Sequence, residues 1–200
     1  MKKLLLMATA LLFACTADLF AQITWHGTGT KDNPYLIESA DHFRAINTMG
    51  LDQYYKQIAD IDLGSIIADS ISPAYVVGNF AGNYDGNGKS ITYQISIKIN
   101  DPYENENGYI GLFETLSGSA VVKNLTIKES NISFTCSESG AYSKPQRYMG
   151  FICGRMMDNA TISNCCINDS RVNISGFRNK IGQYVHVAGA VGSMEGGVLQ

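Results

Sequence analysis

Hydrophobic and polar positions alternate most regularly between Ile91 and Ile99, where every second residue is isoleucine or tyrosine. Such alternation is typical of a β-strand with one buried and one solvated face. Residues 40–48 show the other periodicity, with apolar side chains at helical spacing, Ser39 as a helix cap and Gly50 as a stop. The pattern therefore predicts a mainly β protein with one short amphipathic helix.

Weaker signals precede the alternating strand. Short apolar runs predict strands over 35–37 and 54–63. Residues 64–74 are less patterned, and we expect them to form a loop. The sequence Asp85-Gly86-Asn87-Gly88 predicts a tight turn, because Gly and Asn readily adopt turn conformations.

A phrase of glycine followed by two apolar residues returns three times, starting at Gly111, Gly150 and Gly189, at equal intervals of 39 residues. A fixed period of this length is typical of stacked repeats, in which each unit buries its apolar face against the next. Three short strands per repeat favour a β-solenoid with parallel pairing between successive coils. A two-sheet β-sandwich is the alternative, but equal intervals fit it less well.

Stacked coils place equivalent residues above one another. The expected pairs are Asn124 with Asn164, Leu125 with Cys165, and Ile127 with Ile167. The two asparagines would lie at a corner, where side-chain amides can hydrogen-bond along the stack. The repeated glycine would supply either a bend or close packing at a corner.

The N-terminus has the features of a secretory signal: a basic start, an apolar run over 4–14, and a small residue at Ala21. We predict a signal peptide over 1–21, cleaved after Ala21, and a secreted or cell-surface protein. A lipoprotein anchored through Cys15 is the alternative. No later segment is apolar enough for a membrane helix.

The rest of the chain divides into two parts. Residues 22–63, with the helix, are predicted to form an N-terminal cap that covers the apolar end of the stack. Residues 64–200 are predicted to form the solenoid repeats. Since the third repeat stops at Gln200 before its asparagine strand, we expect the array to continue beyond it.

Composition and charge agree with an extracellular β protein. The chain has 15 Lys and Arg against 18 Asp and Glu, a formal net charge of −3, and only 16% of its residues are charged. That balance excludes a strongly basic nucleic-acid-binding protein. Four cysteines remain after cleavage: Cys136, Cys153, Cys165 and Cys166. The spacing of these cysteines does not suit zinc binding. We expect them to be buried small side chains, and whether two of them form a disulfide stays open.

Three groups of motifs follow one another over most of residues 27–200. They are Gly27-Thr28-Gly29-Thr30 with Asn33-Pro34-Tyr35-Leu36-Ile37 and the helix; Ala59-Asp60-Ile61-Asp62-Leu63 with the segment from Phe80 to Ile91; and the glycine repeat with Val122-Lys123-Asn124-Leu125 and Ile162-Ser163-Asn164-Cys165. This order resembles the GLUG-motif proteins, secreted or surface proteins of Gram-negative bacteria. The resemblance implies a right-handed parallel β-helix outside the cell. It implies no single activity, since such repeats occur in adhesin-like proteins and beside peptidase domains.

Several residues are candidates for sites. Asn83, Asp85, Asn87 and Gly88 match the start of a calcium loop, but Gln94 stands where a bidentate carboxylate is needed, so a tight turn is favoured. Asp60 and Asp62 would share one face of a strand, as in solenoid carbohydrate-active enzymes, but turn-bonding aspartates are favoured. The histidines His26, His42 and His186 lie in separate segments, and a nucleophilic role for Cys153 is unsupported.

Aromatic residues are the remaining candidates. The tyrosines at 54, 55, 84, 93, 103, 109, 142 and 148 could stack on sugar rings, although strand packing is their commoner role. Of these, Tyr103 and Tyr142, in predicted loops, are the better binding candidates. We therefore assign no catalytic, cofactor-binding or metal-binding residue, expect no cofactor, and leave the binding residues open.

The sequence thus favours a non-enzymatic β-solenoid that displays surface for adhesion or binding. Glycan or an extracellular protein is the expected partner, with no nucleic acid and no membrane span; the oligomeric state stays open. A stalk for a further C-terminal domain such as a peptidase is the alternative. A carbohydrate-active solenoid enzyme is the third hypothesis.

Overall fold

A computed structural model of the 200-residue chain describes residues 23–68, 75–99, 108–136, 146–175 and 184–200. The predicted signal peptide and the lipoprotein alternative at Cys15 lie outside the described residues. So do Tyr103 and Tyr142 and most of the inserts between repeats. The described residues form a mainly β structure with one helix, as the alternation predicts.

The helix and strands succeed one another along the chain in a regular series. In chain order they are β1 (Tyr35–Ile37), α1 (Ala40–Met49), β2 (Tyr54–Gln57), β3 (Ile61–Ala68), β4 (Tyr75–Phe80), β5 (Asn83–Asp85), β6 (Ser90–Ile99), β7 (Gly108–Leu116), β8 (Val121–Lys123), β9 (Thr126–Lys128), β10 (Asn131–Cys136), β11 (Gln146–Met149), β12 (Cys153–Met156), β13 (Thr161–Ser163), β14 (Cys166–Asn168), β15 (Arg171–Ser175), β16 (Tyr184–Val187), β17 (Val191–Met194) and β18 (Val198–Leu199).

The strands form three parallel sheets of six strands each within the described residues. The first sheet has the order β1-β2-β5-β8-β13-β18. The second contains β3, β6, β9, β10, β14 and β15, and the third contains β4, β7, β11, β12, β16 and β17. The predicted parallel pairing is confirmed.

The chain visits the three sheets in the same order in successive repeats. After β5, β6 and β7, it returns to the first sheet as β8, then to the second as β9 and β10, and to the third as β11 and β12. A further repeat runs from β13 to β17 in the same way. Each strand lies beside its equivalent in the neighbouring repeat, so Tyr84 pairs with Val122 and Val122 with Ile162.

The predicted helix is confirmed, including its two ends. The hydroxyl of Ser39 accepts a hydrogen bond from the His42 N–H at 3.2 Å, and the Gly50 N–H closes the last turn on the Ile46 carbonyl. An N-cap of this kind satisfies a backbone donor that the helix leaves free. The buried face contains His42, Phe43 and Ile46, and the Phe43 ring lies 5.9 Å from that of Phe113 in β7.

Polar residues of the helix occupy the edges of two sheets. The Asn47 side chain donates to the Val76 carbonyl at 2.8 Å and accepts from the Gly78 N–H at 2.9 Å, both in β4. The Arg44 guanidinium donates to the Leu63 carbonyl in β3. These side chains hydrogen-bond to backbone groups of β3 and β4, each of which has one partner strand in the described structure. Such edges are otherwise templates for pairing with another chain.

Two sequence predictions are wrong between residues 54 and 80. The predicted strand over 54–63 is two strands, β2 and β3, because the buried Gln57 amide bonds to the Ala59 and Ser90 carbonyls and supports a bend. Residues 64–68 of the predicted loop belong to β3, and residues 69–74 lie outside the described residues. An irregularity in register between Asp62 and Ser65, with Gly64 at a φ of 66°, interrupts the alternation there.

The expected corner stack is present. The Asn164 amide donates to the Asn124 side-chain carbonyl at 2.7 Å, and the Asn124 amide donates to Asp85 at 2.9 Å. Both asparagines have a left-handed backbone, with φ of 54° and 50°, which asparagine adopts more readily than most residues. Ile127 pairs with Ile167, as predicted.

The remaining expected pair, Leu125 with Cys165, follows from the same register. Thr126 pairs with Cys166, and the Cys166 N–H bonds to the Leu125 carbonyl at 2.9 Å. Cys165 packs against the core, whereas Cys166 is exposed, so the two thiols point to opposite faces. Cys153 is buried, and these three cysteines are unpaired.

The repeated glycines provide close packing of successive backbones. A Cβ on Gly111 would lie 2.5 Å from the Gly150 carbonyl oxygen, and one on Gly150 would lie 2.5 to 2.6 Å from backbone atoms of Cys153, Ala190 and Gly192. A Cβ on Gly189 would meet nothing within 4 Å. None of the three has a left-handed φ, so close approach, not an unusual bend, is the reason for glycine at the first two.

We predict that Gly150→Ala destabilises the fold, because the new methyl group would be forced against backbone on two sides. The expected loss is about 1–3 kcal/mol in the free energy of unfolding, as for other overpacked sites. Urea unfolding followed by circular dichroism measures this loss.

Gly189→Ala is the matched control, since it makes the same change at the equivalent position in open space. It should alter the free energy of unfolding by less than about 0.5 kcal/mol. Equal losses in the two variants would show that contact between neighbouring repeats is not what requires glycine at 150.

Candidate functional site

A groove of about 550 Å³ lies on the outer face of the first sheet, next to the N-terminal turn. Its volume is within the range of small-molecule and cofactor sites. The lining combines charged, amide and aromatic residues: Lys31, Asp32, Asn33, Pro34, Leu36, Tyr54, Tyr55, Lys56, Asn83, Tyr84, Asp85, Val121 and Lys123.

Strand register brings the floor of the groove together. Tyr54 pairs with Asn83, which pairs with Val121, and these residues form one outer row. Lys56, Asp85 and Lys123 form the second outer row by the same pairing. The residues between the rows point inward, because successive side chains of a strand face opposite sides; they are the buried Tyr55, Tyr84 and Val122.

The N-terminal turn forms one wall of the groove. The Thr28 N–H bonds to the Asn33 carbonyl at 2.9 Å, and the Asn33 N–H bonds to the Thr30 carbonyl at 3.2 Å. The Leu36 N–H then pairs with the His26 carbonyl at 2.9 Å. These bonds hold Lys31 and Asp32 at the exposed tip of the turn, beside the first strand.

Asp85 is the most strongly held charge in the groove. Its carboxylate accepts hydrogen bonds from the Asn87 N–H at 2.8 Å and the Asn124 amide at 2.9 Å, and lies 3.4 Å from the Lys123 ammonium. Burial alone would raise the pKa of this carboxyl, but the hydrogen bonds and Lys123 outweigh burial and lower the pKa. Asp85 therefore serves the turn and the corner stack, as the tight-turn interpretation of Asn83 to Gly88 expects.

Other groups in the groove have no such partners among the described residues. Lys31 and Lys56 form no ion pair there, whereas Lys123 is paired with Asp85. The Tyr54 hydroxyl, in the same described part of the chain, is likewise without a protein hydrogen bond, and its side chain is half-buried. A ligand could therefore meet two cationic side chains and one aromatic ring that are not already engaged.

A second, smaller cavity of about 440 Å³ lies on the outer face of the second sheet. Its lining includes Gln94, Asn131 and Arg171, which pair in register across three strands. The Asn173 amide donates to the Asn131 side chain at 2.8 Å. Some of the polar groups here are thus already hydrogen-bonded to one another, and the lining contains no aromatic ring.

The third sheet has an aromatic column on its outer face. The Tyr148 ring stacks on Tyr109 at 5.5 Å and 17°, and the His186 ring stacks on Tyr148 at 4.7 Å and 11°. The Arg155 guanidinium lies 5.2 Å from the centre of the Tyr109 ring and forms a forked pair with Glu195. The ring faces are largely occupied by one another, so this column mainly joins successive repeats.

Sequence reasoning missed both the groove and the column. It favours Tyr103 and Tyr142 as binding residues, and both lie outside the described residues; the surface tyrosines that the structure does describe are on strands. The near-equal spacing of Tyr109, Tyr148 and His186 along the repeat was an available signal. The groove had no comparable signal, because its residues come from four separate segments.

The two aspartates proposed for a strand face are held locally. Asp60 precedes β3 and accepts from the Ser90 N–H at 2.7 Å, which lowers the pKa of its carboxyl. Asp62 accepts from the Gly64 N–H at 2.8 Å. Asp69, a further acid near them in sequence, lies outside the described residues. Both described aspartates thus have the turn-bonding role that is the favoured interpretation.

The histidines remain apart, as the sequence suggests. His42 is buried under the Trp25 ring and bonds to Ser39 and to the Thr24 carbonyl, whereas His186 ends the aromatic column and His26 lies in the N-terminal segment. Within the ranges that the structure describes, no group of three or more His, Cys, Asp or Glu residues could hold a metal ion. In the same ranges no helix is long and apolar enough to span a membrane.

Comparisons with known proteins give one curated relative and no family. No family model matches the chain, and no solved structure matches it. A protein of Evansella cellulosilytica named "Putative Gly-rich membrane protein" is 35% identical over 107 residues, which are 50% of this chain and 12% of that protein. This chain therefore spans only a small part of the relative's length.

We predict a pH-dependent contribution of Asp85 to stability. Because its folded-state pKa is lowered, the ionised carboxylate stabilises the fold above the unfolded-state pKa of about 3.9. This contribution is lost as the pH falls through the lower folded-state pKa. Asp85→Asn should therefore be less stable than the wild type at pH 7, and the difference should shrink below about pH 4.

Urea unfolding of both proteins from neutral to acidic pH measures the difference in free energy of unfolding. A difference that stays constant over the whole range would contradict a role for the ionised carboxylate.

Proposed function

We propose that the protein is an exported, non-enzymatic binding module that holds a glycan in the groove of the first sheet. In this proposal the three sheets are the faces of a right-handed parallel β-helix of the GLUG-motif type. Residues 22–63 form its N-terminal cap, and residues 64–200 form its repeats. The same order of sheets in each repeat and the in-register parallel pairing support this architecture.

The signal-like N-terminus and the β-repeat sequence support a place outside the cell. The name of the Evansella relative, a membrane protein, agrees with an envelope location. We place the protein on the cell surface or in the secreted fraction, with cleavage after Ala21. Retention through a lipidated Cys15 is the variant of this proposal that also fits an envelope location.

The lining of the groove is the observation that carries the binding function. Sugars present many hydroxyl groups and one flat apolar face, so they need donors, acceptors and an aromatic ring close together. The groove supplies lysine donors, aspartate and asparagine acceptors, and the half-buried Tyr54. Tyrosine suits such a ligand because its ring is apolar and its hydroxyl is polar.

A protein partner fits this lining less well. Centres of protein interfaces are enriched in aromatic residues, Met and Arg, and are depleted in Lys, Asp and Glu. The groove shares the aromatic residues, with three tyrosines, but it also has three lysines and two aspartates, and neither Met nor Arg. We therefore favour glycan over extracellular protein as the ligand class.

We predict that the full chain binds members of a glycan array without cleaving them, and that Tyr54→Ala weakens this binding about tenfold. An aromatic contact is worth about 0.5–1.5 kcal/mol, and tenfold corresponds to about 1.4 kcal/mol. Tyr54→Phe is the matched control, since it keeps the ring and removes only a hydroxyl without a protein partner. Affinities of all three proteins for the best array ligand are measured by calorimetry.

The proposal fails if no glycan binds, or if Tyr54→Ala binds as tightly as the wild type while remaining folded by circular dichroism. Release of new reducing ends during incubation would instead point to the carbohydrate-active enzyme hypothesis.

A further inference from the structure

We propose that the groove selects anionic glycans, with Lys56 and Lys31 binding carboxylate or sulfate groups of the sugar chain. This inference rests on the proposed glycan-binding function and adds the chemical class of the ligand. It concerns the two lysines of the groove that form no ion pair among the described residues.

The local charge of the groove is opposite to that of the whole chain. The protein has a formal net charge of −3, yet the groove contains three lysines and two aspartates. One aspartate, Asp85, is neutralised by Lys123 at 3.4 Å and is further bonded to Asn87 and Asn124. The positive charge that remains is therefore carried by Lys31 and Lys56, against Asp32 alone. A cationic site on an acidic protein concentrates anionic ligands.

Strand geometry sets the position of the positive charge. Lys56 and Asp85 pair across neighbouring strands, and Lys123 follows in the next strand. Neighbouring strands lie about 4.8 Å apart, so Lys56 and Lys123 stand about 10 Å apart on the two sides of Asp85. Leu36 of β1 pairs with Lys56 on the other side, so the row runs from Leu36 through Lys56 and Asp85 to Lys123. An anionic polymer lying across the strands therefore meets the unpaired Lys56 beside the neutralised pair of Asp85 and Lys123.

Tyr54 lies next to this row. It occupies the neighbouring outer row, two residues before Lys56 on the same strand, so both side chains emerge on one face. A sugar ring against the tyrosine therefore places its acidic substituent within reach of the Lys56 side chain. Lys31, in the N-terminal turn, lines the same groove. Recognition of ring and charge together distinguishes this site from a diffuse basic surface.

The test uses the full chain and three polysaccharides: polygalacturonate for carboxylate, dextran sulfate for sulfate, and unmodified dextran as the neutral reference. Poly-glutamate is added as an acidic peptide for comparison. We expect binding to at least one anionic polymer to be at least tenfold tighter than to dextran, and to weaken with added salt because exposed charges are screened. Lys56→Gln should weaken binding to the anionic polymer about tenfold, and Lys31→Gln about threefold, and each should weaken dextran binding by a smaller factor, because dextran loses only a hydrogen-bond donor and no ionic contact.

Lys98→Gln is the matched control. Lys98 is an exposed lysine of β6 on the second sheet, outside the groove lining, and its replacement removes the same charge from the protein. It should leave binding to each polymer unchanged. The midpoint temperature of thermal unfolding should be the same for all variants and the wild type, since neither Lys31 nor Lys56 has an ionic partner in the described structure.

Four results would overturn the inference. Equal affinity for dextran and for the anionic polymers would show that the groove binds glycans without selecting for negative charge. An equal loss in Lys98→Gln would indicate attraction to the whole surface. Binding of poly-glutamate in preference to both anionic polysaccharides would indicate an acidic peptide ligand. Failure to bind any of the three polysaccharides would also overturn it, and the glycan array then decides separately whether the binding function stands.

Discussion

The structure depends on the in-register approach of successive repeats, because no single repeat can satisfy its own backbone or bury its own side chains. Strands of two to ten residues gain their ladder hydrogen bonds from equivalent strands in neighbouring repeats. That approach leaves no room for a Cβ at Gly111 or Gly150, and it places Asn124 and Asn164 in contact. The same register that builds the core therefore also determines which side chains are neighbours on the outer surface.

The sequence was most informative where one physical requirement recurs at a fixed interval. Equal spacing of the glycines predicted stacking, and the matching asparagines predicted a corner contact that is present at 2.7 Å. The helix was predictable because Ser39 and Gly50 mark its ends and its apolar spacing is regular. These features have in common that a local residue pattern has one favoured structural interpretation.

The failures have a different physical origin. The bend after Gln57 depends on a hydrogen bond from its buried amide to the carbonyl of Ser90, a residue 33 positions later. No local sequence pattern predicts this contact. The irregular register near Gly64 interrupts the alternation that identifies a strand. The groove could not be predicted for the same reason: Lys56 and Lys123 become neighbours of Asp85 only through register between repeats. A motif along the chain joins neighbours in sequence, whereas this surface is formed across strands.

The binding residues that we propose, Tyr54 and Lys56, lie on a strand, and this limits their freedom of movement. Side chains on a three-sheet framework are held by backbone pairing on both sides, so a site there is preorganised and loses little conformational freedom on binding. Tyr54 and Lys56 belong to β2, which pairs with β1 and β5. Binding residues on flexible loops would have to be ordered first. A groove on a sheet therefore has a fixed spacing of contact residues and adapts less to ligands of different shape.

The contacts of Asn47 with β4 and of Arg44 with β3 make one end of the stacked sheets different from the other. Addition of another chain by strand pairing at that end would require their displacement, and the segment around His26 occupies the edge of β1 in the same way. Pairing of a further strand needs free backbone groups at the edge of a sheet, and side chains of one short helix already occupy several of them here.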